Sequence, residues 1–180
     1  LPLRASKVAE VEGRVGEPPS QPSGGYLAKV ITVSDGVVRG TREDLSGAAL
    51  VEVLEAGGFS VVERSVVADG VASVAGELAR VSASFHGLVV TTGGTGFAPR
   101  DQTPEGTREI IERDAPGLAE AMRLISPLGR LSRGVAGVRG KAVIINTPGS
   151  PKGAAECLGA VIDVLPHALD LLGERPANHP

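Results

Sequence analysis

Apolar positions along this chain alternate between short β-branched runs and longer stretches with helical spacing. Val30-Ile31-Thr32-Val33, at the end of residues 29–33, predicts a buried strand, because branched side chains pack well on a pleated surface. A helix over residues 47–56 follows, with Ser46 placed to cap it and Gly57-Gly58 to stop it. Residues 60–67 predict a second strand. Val71, Val74, Leu78 and Val81 then recur at helical spacing, and residues 87–92 predict a third strand. Thr103 is placed to cap the next helix and Pro104 to open it, at the position where a missing N–H costs nothing. Ala115-Pro116-Gly117 interrupts that helix, and another follows over residues 118–125. Residues 141–146 predict a further strand. A last helix buries Leu158, Val161, Ile162, Leu165, Leu169 and Leu172, with a kink at Pro166. No internal repeat is visible.

Strands alternating with helices predict an α/β fold, a three-layer α/β/α sandwich around a mostly parallel sheet. Ligands of such sheets bind beyond the carboxyl ends of the strands. Ser34-Asp35, Asp69, residues 93–101 and residues 148–152 all follow predicted strands, which gathers them at one edge. Residues 1–25, with Pro18-Pro19-Ser20-Gln21-Pro22-Ser23-Gly24-Gly25, have linker composition. They read as a tail, residues 26–175 as one domain and residues 176–180 as a second short tail.

Composition narrows the function classes. Hydrophobic residues make up 42% of the 180 but aromatics only 2%, so the core is expected to be aliphatic. A formal charge of −3 provides no broad basic surface, against nucleic-acid binding. No apolar run approaches the ~20 residues that span a bilayer, and no signal-peptide core is visible at the N-terminus. The single cysteine, Cys157, cannot form an internal disulfide or a cysteine zinc site, which suits a reducing cytoplasm. His86, His167 and His179 show no ligand spacing.

The strongest chemical signal lies in Val89-Val90-Thr91-Thr92-Gly93-Gly94-Thr95-Gly96-Phe97-Ala98-Pro99-Arg100-Asp101-Gln102-Thr103-Pro104-Glu105. Glycines let backbone N–H groups approach phosphate oxygens, with Thr92 and Thr95 beside them. Arg100 can pair with phosphate and Asp101 can hold a hard cation such as Mg2+. The spacing matches neither GxxxxGK[ST] nor GxGxxG. The bland alternatives are a turn that uses glycine for positive φ and an aspartate that caps it. Gly149, Ser150 and Lys152 lie at a predicted helix start, where N–H groups attract an anion. Lys152 would be unfavourable there unless an anion is bound.

This run resembles the signature of the MogA/MoaB family of molybdenum cofactor biosynthesis proteins. The resemblance extends, in order, to Val33-Ser34-Asp35, Asp44-Leu45-Ser46-Gly47, Asp69, Leu131-Ser132-Arg133 and Asn146-Thr147-Pro148-Gly149-Ser150-Pro151-Lys152-Gly153, covering roughly residues 27 to 172. It implies a molybdopterin adenylyltransferase that uses ATP and Mg2+. Asp69 and Asp101 would be the catalytic and metal-binding carboxylates. Ser34, Asp35, Thr92, Gly93, Gly94, Thr95, Gly96 and Arg100 would hold nucleotide phosphates. Ser132, Arg133, Gly149, Ser150 and Lys152 would hold molybdopterin. The resemblance also implies a homotrimer and a molybdate-inserting enzyme downstream. Two departures stand out: Ala68 where the family commonly has proline, and Gly36 where it often has arginine, with Arg39 or Arg42 available to replace the latter. A second reading keeps the same ligand but makes the chain a molybdopterin carrier or scaffold. Two carboxylates hinder anion binding unless a cation joins them, which favours the enzyme.

Overall fold

The computed structural model describes residues 25–174, so the two expected tails, apart from Gly25, and His179 lie outside the described residues. Strand β1 (Tyr26–Val33) leads through a short α1 (Asp35–Val38) and α2 (Leu45–Ala56) to β2 (Phe59–Val67). Then come α3 (Val71–Ser82), β3 (Gly87–Thr92), α4 (Thr103–Arg108), β4 (Arg113–Asp114) and α5 (Pro116–Arg123). A 3-10 turn (Pro127–Leu131), β5 (Ala136–Arg139), β6 (Ala142–Thr147), α6 (Pro151–Gly159) and α7 (Leu165–Leu172) complete the chain.

The sheet has six strands in the order β2-β1-β3-β6-β5-β4. β1, β2, β3 and β6 run parallel, and β5 and β4 add an antiparallel edge. Alternation along the central strands splits the core in two. Ala28, Val30, Leu88, Val90, Val143 and Ile145 face α2, α5, α6 and α7, where Leu50, Leu54, Met122, Leu158 and Leu165 are buried. Ile31, Val33, Val89 and Ile144 face the opposite way, onto Val74, Leu78 and Val81 of α3. Both faces are covered, which is why the strands read as unbroken apolar runs. Each buried Leu, Ile or Val contributes roughly 1.5–3 kcal/mol by area removed from water.

Local differences from the sequence reading have identifiable causes. Asp44, not Ser46, caps α2, its carboxylate accepting the Gly47 N–H at 2.9 Å. Thr103 is no cap: it sits inside α4, and its hydroxyl donates to the Gly93 carbonyl at 2.9 Å. The helix expected to run on to Ala115 stops at Arg108, and β4 intervenes before Pro116 opens α5. The expected kinked C-terminal helix is two helices, and Pro166 lies in the first turn of α7, where proline is tolerated. β4 and β5 carry no apolar run long enough to announce them; β5 exists as a pairing onto the edge of β6, and β4 as a pairing onto β5.

This topology places the site. β1 connects to β2 on one side, and the chain then crosses back to β3 on the other side of β1. α2 packs on one face and α3 on the other, so a crevice opens between the carboxyl ends of β1 and β3.

Candidate functional site

A cleft of about 1060 Å³ lies over that crevice. Ser34 and Asp69 follow β1 and β2, the glycine loop follows β3, and Gly149 to Gly153 follow β6, all lining the cleft. Ala119 and Met122 of α5, Leu128 and Leu131 of the 3-10 turn and Cys157 of α6 add an apolar part to the lining. Burial pushes the Cys157 thiol upward, so it is held as a thiol.

The glycine loop is shaped by contacts that admit no side chain. Gly93 has φ +100°, and a Cβ there would stand 2.3 Å from the Val33 carbonyl oxygen. Gly94 has φ +65°, and its Cβ would stand 2.3 Å from the Thr103 hydroxyl. The Gly93 N–H donates to the Thr147 carbonyl at 3.1 Å, and Thr92 Oγ1 donates to the Pro148 carbonyl at 2.8 Å. The loops after β3 and β6 are therefore locked to each other.

Twelve of the fifteen expected site residues line the cleft: Ser34, Asp69, Thr92, Gly93, Gly94, Thr95, Gly96, Asp101, Ser132, Gly149, Ser150 and Lys152. Asp35, Arg100 and Arg133 do not; their polar groups bond the loops together. The Asp35 N–H donates to Asp69 Oδ2 at 2.9 Å, and the Asp69 N–H donates back to Asp35 Oδ1 at 3.1 Å. Arg100 donates to both Asp35 oxygens, at 2.6 and 3.1 Å, and to the Asp69 carbonyl at 2.8 Å. The Arg100 guanidinium, with the Asp69 N–H and Arg39, holds the Asp35 carboxyl below its usual range despite partial desolvation. Arg133 donates from Nε to the Gly96 carbonyl at 2.7 Å and from its two terminal nitrogens to Glu105 and the Asp101 carbonyl. Its backbone N–H donates to the Thr95 carbonyl at 2.9 Å. Arg133 thus clasps both ends of the loop that carries Asp101.

Asp69 and Asp101 present hard oxygens to the cleft. Asp101 Oδ2 accepts the Ala98 N–H at 3.0 Å. A Cβ on Gly96 would stand 2.8 Å from that oxygen, and one on Gly94 would stand 3.4 Å from Asp69 Oδ1. Among the described residues no group of three or more His, Cys, Asp or Glu could hold a metal ion by itself. The lining carries four carboxylates (Glu43, Asp69, Asp101, Glu156) against three cations (Arg42, Arg123, Lys152). A polyphosphate entering that field needs an added cation. A donor set of two carboxylates completed by substrate phosphates is what Mg2+ accepts.

The second glycine loop ends at the start of α6, where Ser150 Oγ accepts the Gly153 N–H at 3.2 Å. Lys152 extends into solvent, 86% exposed and 3.8 Å from Glu156.

Asn146 also lines the cleft and was not among the expected site residues. Its amide donates to Thr91 Oγ1 and Thr107 Oγ1 at 3.0 Å each and accepts the Val135 N–H at 3.1 Å. A polar residue near the end of an apolar run, directly before Thr147-Pro148-Gly149, was the signal in the sequence.

A family model described as "Probable molybdopterin binding domain" matches residues 29–167. The chain is 42% identical over 150 residues to a molybdopterin adenylyltransferase of Helicobacter pylori, covering 79% of this chain and 85% of that one. Among solved structures, the molybdopterin biosynthesis enzyme MoaB of Thermus thermophilus superposes with a TM-score of 0.79 at 47% identity, over 85% of this chain and 99% of that one. The molybdopterin biosynthesis Mog protein of Mycobacterium ulcerans superposes with a TM-score of 0.77 at 39% identity, over 85% of this chain and 100% of that one.

Proposed function

The chain belongs to the MogA/MoaB family of molybdopterin-binding domains, and from that membership we propose that it is a molybdopterin adenylyltransferase of molybdenum cofactor biosynthesis. One observation carries the reading beyond family membership. Asp69, Asp101 and the N–H-rich glycine loop meet in a single cleft at the sheet's crevice, beside a second loop that opens a helix.

In the proposed reaction an oxygen of the molybdopterin terminal phosphate attacks the α-phosphorus of ATP. A new P–O bond forms, the bond between α-phosphorus and the bridging oxygen breaks, and pyrophosphate leaves with that oxygen. The nucleophile belongs to the substrate, so the protein supplies no attacking side chain. Its task is to bring two polyanions together, and charge neutralisation dominates the barrier. Backbone N–H groups of residues 94–96, with the Thr95 side chain, cradle phosphate oxygens, while the Gly93 N–H is held by the Thr147 carbonyl. Ser132, with Gly149, Ser150 and Lys152 of the adjoining loop, holds the second phosphate. Asp69 and Asp101 would hold Mg2+, which when bound offsets phosphate charge and favours departure of pyrophosphate. The apolar part of the lining, which includes Met122, is suited to a flat heterocycle. The same reading includes a homotrimer, a cytoplasmic setting and a molybdate-inserting enzyme as consumer of the product.

Pyrophosphate release from Mg-ATP, with and without freshly prepared molybdopterin, tests the reading. Release is expected only with molybdopterin and Mg2+. Asp101→Asn should lower it about 100-fold or more while circular dichroism and Tm stay near wild type. Molybdopterin binding without release would move the chain to the carrier reading, and full activity of Asp101→Asn would remove the metal role.

A further inference from the structure

The cleft's cations differ in what they already hold. Arg123 donates to the Gly134 carbonyl at 3.0 Å, and Lys152 has Glu156 at 3.8 Å. Arg42, on the loop between α1 and α2, lines the cleft, and its guanidinium makes no hydrogen bond or ion pair among the described residues. Yet the root of this side chain is fixed. The Gly36 carbonyl accepts the Thr41 N–H at 2.9 Å, the Arg42 N–H at 3.2 Å and the Thr41 hydroxyl at 3.1 Å. The aliphatic stem lies on Gly36 itself: a Cβ at that position would stand 2.8 Å from Arg42 Cδ and 3.1 Å from Cγ. Gly36 therefore leaves the space in which Arg42 lies. Arg39, the other candidate to fill the gap at position 36, is engaged with Asp35, donating from Nε to its carbonyl at 3.2 Å.

We propose that Arg42 is a substrate-binding residue that receives a phosphate group in the cleft, and that Gly36 acts in this by making room for its stem. The assignment deepens the adenylyltransferase reading and rests on it for the identity of the ligands. A guanidinium whose donors are uncommitted, on an anchored stem, loses little freedom when it meets phosphate. Without it the lining would set two cations against four carboxylates.

Equilibrium binding of Mg-ATP and of freshly prepared molybdopterin, each measured calorimetrically, tests this. Arg42→Ala should weaken one of the two by about 10-fold or more, the scale of one charge-assisted contact. The ligand affected identifies which phosphate is bound. Gly36→Ala keeps every charge but pushes the flexible stem aside, and should weaken the same ligand by about fivefold with Tm nearly unchanged. Arg139→Ala controls for net charge and should leave both constants unchanged. Binding by Arg42→Ala within about twofold of wild type for both ligands would overturn the proposal, as would an equal loss in Arg139→Ala. If wild type binds both ligands but releases no pyrophosphate, adenylyl transfer fails while these constants still decide Arg42. If wild type binds neither, both readings fall.

Discussion

Residues with similar chemistry in the sequence have separated into different tasks. Arg42, Arg100 and Arg133 are equally cationic, yet among the described residues Arg100 and Arg133 spend their donors inside the protein and Arg42 does not. A fork such as Arg133 cannot be replaced by a point charge. Arg133→Lys is expected to cost about 2 kcal/mol and to speed amide exchange in residues 94–101, while the central strands stay protected; unchanged loop exchange would argue against the clasp. Glu105, its partner, is pushed up by burial and more strongly down by Arg133 and neighbouring groups together, leaving its carboxyl below the usual range. The pH dependence follows from Asp35, whose folded pKa is depressed chiefly by Arg100. Its contribution is therefore complete above the ordinary carboxylate pKa of about 4 and is lost as pH falls through the lower folded value. Thermal melts from pH 7 to pH 2 should show the decline, and Asp35→Asn should flatten part of it.

At the scale of elements, the ends of strands and helices carry more of the design than their middles. The penultimate residue of β6, Asn146, ties three elements through Thr91 of β3, Thr107 of α4 and the Val135 N–H ahead of β5. Asn146→Ala would strip the Thr91 hydroxyl and the Val135 N–H of this partner, while Thr107 keeps its bond to the Thr103 carbonyl, and a loss of about 2 kcal/mol in urea unfolding is expected. Gly93→Ala places a methyl against the Val33 carbonyl at a φ that L-residues avoid, so about 3 kcal/mol or more should be lost, or soluble protein should not be recovered. Normal stability of Gly93→Ala would mean that the loop between β3 and α4 can rearrange freely. These end effects also explain the misplaced caps. Asp44 and Ser46 are both good capping types only two positions apart, and the winner is the one whose neighbours use it. The Thr32 hydroxyl donates to Asp44 at 2.9 Å and the Arg64 guanidinium donates to Asp44 at 3.0 Å, which holds that carboxylate in capping position.

Across the whole molecule, order along the chain already determined the parallel core, the strand boundaries to within a few residues and the edge at which polar residues collect. These follow from local quantities: a β-branched run either spans a sheet or does not, and glycines after a strand either suit a tight loop or do not. The glycine run, Asp69, Asp101 and the second glycine loop were legible for that reason. Among the described residues no helix is long and apolar enough to cross a membrane, in keeping with the absence of a long apolar run. Tertiary structure alone decided what depended on partners distant in sequence. β5 forms because β6 offers an edge and β4 because β5 then offers another, and the C-terminal apolar stretch divides into α6, which packs chiefly on α2, and α7, which packs on β3 and β6. Arg100 turns toward Asp35, 65 positions away, and Arg133 toward Gly96, 37 positions away, although both types suit phosphate equally well by sequence. An arginine's chemistry is the same wherever it stands; what it binds is set by which acceptors the fold brings within about 3 Å, and no local pattern encodes that distance.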